Sequence, residues 1–268
     1  MTTLPDEKFF RTPVTDVRTW VPGKLFSLRV ERQPGFDFTA GQFARLGLQD
    51  PATPEEAPTL WRAYSMVSGA SDPYLEFYSV VVPEGQFSPR LAALQPGDML
   101  CIDRTPFGFL TADRLHQNGD LWLIGTGTGL GPYLSILKEQ SVWQAFDRII
   151  VVHGVRHADE LAYRDTLSNL ADQAPWCDWG VAGNDRFLYL PIATREALPG
   201  MPQERLTTLI ENGDLARLAD SPLDPQRARV MLCGNPDMIT QARKMLSERG
   251  FAPGRRGAQG NLAVENYW

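Results

Sequence analysis

Four consecutive residues, Arg62-Ala63-Tyr64-Ser65, place a guanidinium, an aromatic ring and a hydroxyl on one short stretch of β-forming sequence. An arginine fork can hold a pyrophosphate through two parallel hydrogen bonds. A tyrosine ring can stack on an isoalloxazine, and a hydroxyl beside it can bond the N5 edge of such a ring. In an extended strand Arg62 and Tyr64 share one face, with Ser65 on the other face or at its edge. Further on, Gly85-Gln86-Phe87-Ser88 leads into Pro89 and the run RLAALQ. Ser88 reads as an N-cap with Pro at the first helical position, and a helix N-terminus behind a close-turning glycine suits a diphosphate.

A second signal answers the first. The loop GTGTGLG at 125–131 follows an apolar strand and precedes a helix, the context in which a glycine-rich turn cradles nucleotide phosphates. Its spacing differs from GxGxxG, and no acidic residue stands at the end of the next strand to take a ribose 2′-hydroxyl. Arg156 stands there instead, with Arg195 and Arg205 further along, and arginines favour the 2′-phosphate of NADP over NAD. Cys233 ends a later strand, and Asn235 and Asp237 open the helix after it. A small, polarizable side chain at a strand's carboxyl end can lie against a nicotinamide without crowding it. The segment Ala263–Trp268 carries two adjacent aromatics, Tyr267 and Trp268. Leaving both in water would cost apolar area, so the tail is expected to dock on a flat surface.

The elements that must position these residues fall into two groups. Over 1–115, short β-rich runs at Leu25–Val30, Phe43–Leu48, Tyr64–Val67, Leu75–Val82 and Met99–Asp103 alternate with Pro, Gly and Asp clusters. That rhythm predicts an antiparallel β-barrel. The polar stretch 111–120 reads as a linker. Over 116–268 strands and helices alternate: strands at Leu121–Ile124, Arg148–Val155, Phe187–Ala193 and Val230–Cys233, and helices over 132–140, 159–172, 204–212 and 236–249. Alternating βα units imply a parallel sheet with helices on both faces.

Composition narrows the class. Of 268 residues, 43% are hydrophobic, enough for two cores, and the net charge of −6 argues against nucleic acid or an anionic membrane as partner. Arg243, Lys244, Arg249, Arg255 and Arg256 nonetheless make one region locally basic. Three scattered cysteines and three histidines without ligand spacing argue against an iron–sulfur cluster or zinc site. The start, MTTLPDEKFFRTP, has no basic n-region or apolar h-region, and no long apolar run occurs. A soluble, cytoplasmic, monomeric protein without a membrane or nucleic-acid partner is expected.

Taken together, RAYS, EFYSVVVPEG, SPRLAALQPGD, GTGTGLGPYLSIL, VMLCGNPDM and VENYW, in this order, resemble the ferredoxin–NADP⁺ reductase family, especially its enterobacterial-type subclass. The resemblance spans nearly the whole chain. It implies an FAD-holding barrel, an NADP(H)-binding α/β domain, and hydride exchange coupled to single-electron exchange with ferredoxin or flavodoxin. By resemblance Arg62, Ala63, Tyr64 and Ser65 bind FAD, Phe77, Tyr78, Ser79 and Val80 line its adenosine and ribityl side, and Gln86, Phe87 and Ser88 complete the phosphate end. Thr128 would reach the flavin, and Gly127 and Gly129 would approach the NADP pyrophosphate. Arg156, Arg195 and Arg205 would hold the 2′-phosphate. Cys233 would lie by the nicotinamide, Glu265 by the hydride-transfer site, and Tyr267 or Trp268 on the flavin or its adenine. An NAD(P)H:flavin reductase, an oxygenase reductase component and a non-enzymatic redox sensor are the alternatives.

Overall fold

The computed structural model describes residues 8–50, 52–53, 56–182, 185–254 and 258–266. Six strands form one sheet: β1 Phe9–Val21, β2 Leu25–Glu31, β3 Phe43–Leu48, β4 Leu60–Ser65, β5 Tyr74–Val80 and β6 Met99–Asp103. Their order is β4-β3-β6-β1-β2-β5, and every paired neighbour is antiparallel. The sheet curls until its two edges approach, with Met66 bridging Phe77 and the Val67 N–H donating to the Glu76 carbonyl at 2.8 Å. Inside lies a core that includes Phe26, Leu28, Val30, Leu46, Phe77 and Leu100. A helix, α1 Ser88–Ala92, follows β5. The antiparallel barrel expected from the turn rhythm is present.

The remaining strands, β7 Asp120–Thr126, β8 Arg148–Val155, β9 Phe187–Ala193, β10 Ala228–Gly234 and β11 Leu262–Asn266, form a parallel sheet in the order β11-β10-β7-β8-β9. Helices α2 Gly131–Leu137, α3 Gln140–Ala145, α4 Arg164–Ser168, α5 Leu206–Glu211, α6 Asp214–Ala219 and α7 Pro236–Glu248 connect them. Two clusters cover the faces of this sheet. One joins Leu121, Leu123, Ile149 and Val151 to α2, α3 and α4. The other joins Trp122, Ile124, Ile150 and Val152 to α5, α6 and α7. A strand buried on both faces reads as a continuous apolar run, and RIIVVHGV has that form except for one histidine.

Several elements depart from expectation. β1 was not foreseen because Pro13 and Asp16 interrupt its pattern. Pro13 falls where the strand stops pairing with β6, and an irregularity between Val14 and Asp16 swings the chain onto β2. The helix expected over 159–172 is broken into α4 and short 3₁₀ turns, with Tyr163 at φ 60° ahead of α4. The tail expected to lie on a flat surface forms β11 up to Asn266; Tyr267 and Trp268 lie outside the described residues. The polar stretch 111–120 is not a free linker. Leu115 is fully buried in the core beneath the parallel sheet, and Asp120 accepts the Ser221 hydroxyl at 2.6 Å.

Tyr133 on α2 ties this layer together. Its hydroxyl lies 2.9 Å from the Ile124 carbonyl and 3.0 Å from the Met231 carbonyl, so one phenol spans β7 and β10. Tyr133→Phe keeps the ring and removes the donor. Urea denaturation is expected to show a loss of about 1–2 kcal/mol, and an unchanged midpoint would mean that the hydroxyl contributes nothing.

Candidate active site

In the parallel sheet, chain order runs from β7 outward to β9, then returns to β10 on the other side of β7. The boundary between β7 and β10 is therefore the topological switch point, and crevices that take ligands open there, at the strands' carboxyl ends. The loop after β7 and the loop after β10 cross at this point in close backbone contact. A Cβ on Gly129 would lie 2.5 Å from the Cys233 carbonyl oxygen, and one on Gly234, at φ 127°, would overlap Thr126. The Thr126 hydroxyl accepts the Asn235 N–H at 2.9 Å and closes the crossing. Cys233 is buried between Gly125 on β7 and Glu265 on β11, its register partners. Asn235 caps α7, its side chain accepting from the Asp237 and Met238 N–H groups.

Facing this crossing is the open edge of β4. That strand pairs only with β3, so its other side borders a cavity of about 510 Å³. Arg62, Ala63, Tyr64 and Ser65 all line it, joined by Tyr78, Ser79 and Val80 from β5 and Gln86, Phe87 and Ser88 from the turn into α1. Thr128, Glu265 and Asn266 close it from the parallel-sheet side. The volume falls in the range of small-molecule and cofactor sites, roughly 300–1,000 Å³. Tyr64 stacks obliquely on Phe87, ring centroids 5.8 Å apart, and burial raises its phenol pKa against the opposing pull of Ser79 and Arg62. Tyr78 is buried, and its hydroxyl has no hydrogen-bond partner among the described residues.

The two sheets touch where β4 ends. The Ser65 hydroxyl donates to Glu265 Oε1 at 3.3 Å, and burial pushes the Glu265 carboxyl up to about 7. A Cβ on Gly108, at φ 110°, would meet the same carboxyl group and the Phe43 ring at 3.1 and 3.0 Å. Phe43, also part of the cavity wall, was not singled out in the sequence. Its role depends on Gly108 and Phe107, which only the fold brings beside it.

Other expected residues lie elsewhere. Phe77 points into the barrel core, on the face of β5 opposite Tyr78, so its side chain is not part of the cavity wall. Ser88 is the first residue of α1 rather than its cap. The cap position is Phe87, and the Ser88 hydroxyl accepts the Val82 N–H at 2.8 Å. Arg156, Arg195 and Arg205 are exposed and gather at one corner. The Arg195 N–H donates to the Arg156 carbonyl at 2.9 Å, and Arg205 stands immediately before α5, whose Leu206 packs against Gly154 on β8. Arg255 and Arg256 lie outside the described residues.

A curled antiparallel sheet meeting a parallel-sheet switch point across such a cleft defines a two-domain oxidoreductase that brings two dinucleotides together. Residues 123–244 match the oxidoreductase NAD-binding domain. The chain is 36% identical to a ferredoxin–NADP reductase of Pseudomonas aeruginosa over 244 residues, covering 90% of this chain and 91% of that one. It is 36% identical to a flavodoxin/ferredoxin–NADP reductase of Escherichia coli over 256 residues, 95% and 97% of the two chains. A Neisseria gonorrhoeae ferredoxin–NADP⁺ reductase solved with bound FAD and NADP superposes with a TM-score of 0.87 at 31% identity, over 97% of this chain and 99% of that one. The protein belongs to the ferredoxin/flavodoxin–NADP reductase family.

The raised Glu265 pKa has a consequence for stability. The folded state holds this proton more tightly than the unfolded chain, so the group's favourable contribution is complete below the ordinary carboxylate range. It is lost as pH rises through about 7. Glu265→Gln stays neutral throughout. Its Tm is expected to exceed that of the unsubstituted protein near about pH 8, with the gap closing by about pH 5; parallel curves across that range would refute the assignment.

Proposed function

We propose that the protein exchanges a hydride with NADP(H) and single electrons with ferredoxin or flavodoxin through FAD held along the open edge of β4. The observation that carries this reading is the Ser65–Glu265 hydrogen bond at the point where the cavity wall of the barrel meets the carboxyl ends of β10 and β11. FAD bound there would supply the hydride-accepting ring, and NADP(H) the hydride.

The chain's own residues orient and enclose. Tyr64 offers a ring face and Arg62 a guanidinium for pyrophosphate. Gln86, Phe87 and Ser88 form the wall toward α1. On the other side, Thr128 in the cavity wall and the loop around it would take the incoming nucleotide, and Cys233, fully buried beneath Gly129, would support the nicotinamide end from behind. Glu265 holds a proton near neutrality, and Ser65 steadies that carboxyl group by donating to Oε1. The exposed trio Arg156, Arg195 and Arg205 would take the 2′-phosphate. A division near residues 115–116 into a flavin half and a nucleotide half is part of this reading, with Leu110 and Leu115 already packing under the parallel sheet. Arg243 and Lys244 lie on the outer face of α7 beside Asn266, a basic approach for an acidic electron-transfer partner; Arg249 is instead tied to the Ile210 carbonyl at 2.6 Å. A cytoplasmic monomer is part of this reading. No described helix is long and apolar enough to cross a membrane.

Reconstitution with FAD should give a yellow protein that NADPH bleaches and that passes electrons to ferredoxin or flavodoxin. A protein that stays colourless, or that only reduces added free flavin, overturns the reading. Arg156→Ala should weaken NADPH use about tenfold to a hundredfold, the loss of one charge-assisted contact, while NADH use is unaffected. An unchanged ratio of kcat/KM for the two nucleotides would remove Arg156 from the phosphate site.

A further inference from the structure

One histidine interrupts the apolar run of β8. His153 is fully buried at the carboxyl end of that strand, paired in register with Gly125 on β7 and Pro191 on β9. Its Nε2 lies 3.1 Å from the Gly127 carbonyl oxygen, and its Nδ1 lies 3.4 Å from the Tyr189 hydroxyl. A carbonyl oxygen only accepts, so Nε2 carries the proton and Nδ1 is left to accept from Tyr189. The ring is neutral at ordinary pH, because burial lowers its pKa to about 4. The nearby Glu160 carboxylate is already paired with Lys24 at 2.6 Å.

The residue this ring holds begins the 3₁₀ turn of the glycine-rich loop. Gly127 sits at φ 55°, a Cβ there would touch nothing, and the residue opens the short 3₁₀ turn Gly127–Leu130. The next peptide is planar and trans, so its carbonyl and the Thr128 N–H point in opposite directions. With the Gly127 carbonyl drawn in to His153, the Thr128 N–H turns away from β8, and Thr128 itself borders the interdomain cavity.

We propose that His153 is a positioning residue for nucleotide binding: it anchors the Gly127 carbonyl so that the Gly127–Thr128 peptide presents its N–H to the cleft, with Tyr189 fixing the required tautomer. This rests on the reading that NADP(H) binds at the 125–131 loop. The loop faces the part of the dinucleotide that NADPH and NADH share, so the effect is on both.

The test compares His153→Leu, His153→Gln and Tyr189→Phe in the FAD-loaded enzyme, with Arg156→Ala as reference. Flavin absorbance and Tm report folding; KM and kcat are measured with NADPH and with NADH. His153→Leu should raise KM about tenfold for both nucleotides, with a much smaller change in kcat, as expected for an anchor behind a binding group. His153→Gln, whose amide can donate in place of Nε2, should recover most of the loss, and Tyr189→Phe should show a smaller rise of the same kind. The proposal fails if KM is unchanged in His153→Leu, or if the glutamine variant binds flavin normally yet behaves like leucine. If the leucine variant does not fold, the glutamine and phenylalanine variants decide: normal flavin content with a large kcat loss and unchanged KM refutes it. Should Arg156→Ala alter NADPH preference while the His153 variants do not alter KM, this proposal alone falls. Should none of the four alter nucleotide use, the nucleotide is not at this loop.

Discussion

A hydroxyl on the edge strand of one sheet and a carboxyl group on the last strand of another, 200 residues apart in the chain, must stay within hydrogen-bonding distance. Everything distinctive in the structure serves that meeting of Ser65 and Glu265. Neither side chain alone could hold the halves together, because one neutral or half-ionised hydrogen bond is worth only about 1 kcal/mol net. The alignment is imposed by contacts elsewhere along the seam. Tyr163 donates to Glu76 Oε1 at 2.7 Å while Arg29 takes the other oxygen at 2.9 Å. Lys138 pairs with Asp72 at 2.8 Å, the Glu139 carboxylate accepts the Ala70 N–H, and Ser135 donates to the Ser68 carbonyl.

These seam contacts are of a demanding kind. The Glu76 side chain is 5% exposed and that of Glu160 is 10% exposed, whereas their cationic partners Arg29 and Lys24 stay partly in water. A buried carboxylate is tolerated only where every partner is in place, so such pairs add little net stability but strongly penalise any other arrangement. The seam thus disfavours any placement of the sheets that would leave Glu76 or Glu160 unpaired. It also explains the broken helix near residue 163: a continuous helix would replace the left-handed Tyr163 whose phenol reaches Glu76.

Much of this was legible in the residues. RAYS, the glycine loop and the strand-ending cysteine declared themselves because their chemistry is local and their neighbours in sequence supply the context. The parallel strands showed as apolar runs because both their faces are covered. β1 and β11 did not show. One is half-exposed and bends across two partners at Pro13, and the other is a five-residue strand that pairs along its length with β10 alone among the described strands. His153 was visible as a polar residue in an apolar strand, but nothing in RIIVVHGV reveals that its ring reaches the Gly127 carbonyl. Phe77 looked like its neighbours in EFYSVV, and alternation in β5 sent its ring to the opposite face.

Residue type and periodicity within a few residues by themselves determined the two kinds of sheet, and the order of motifs carried the resemblance that implied the family and its two nucleotides. Tertiary structure alone decided that Glu265 reaches Ser65, that Gly129 must lack a side chain because the Cys233 backbone passes beneath it, and that three exposed arginines share a corner. Those facts concern distances between segments far apart in sequence. Such distances are set by sheet order, twist and the packing of one buried face on another, to which no short stretch of residues has access.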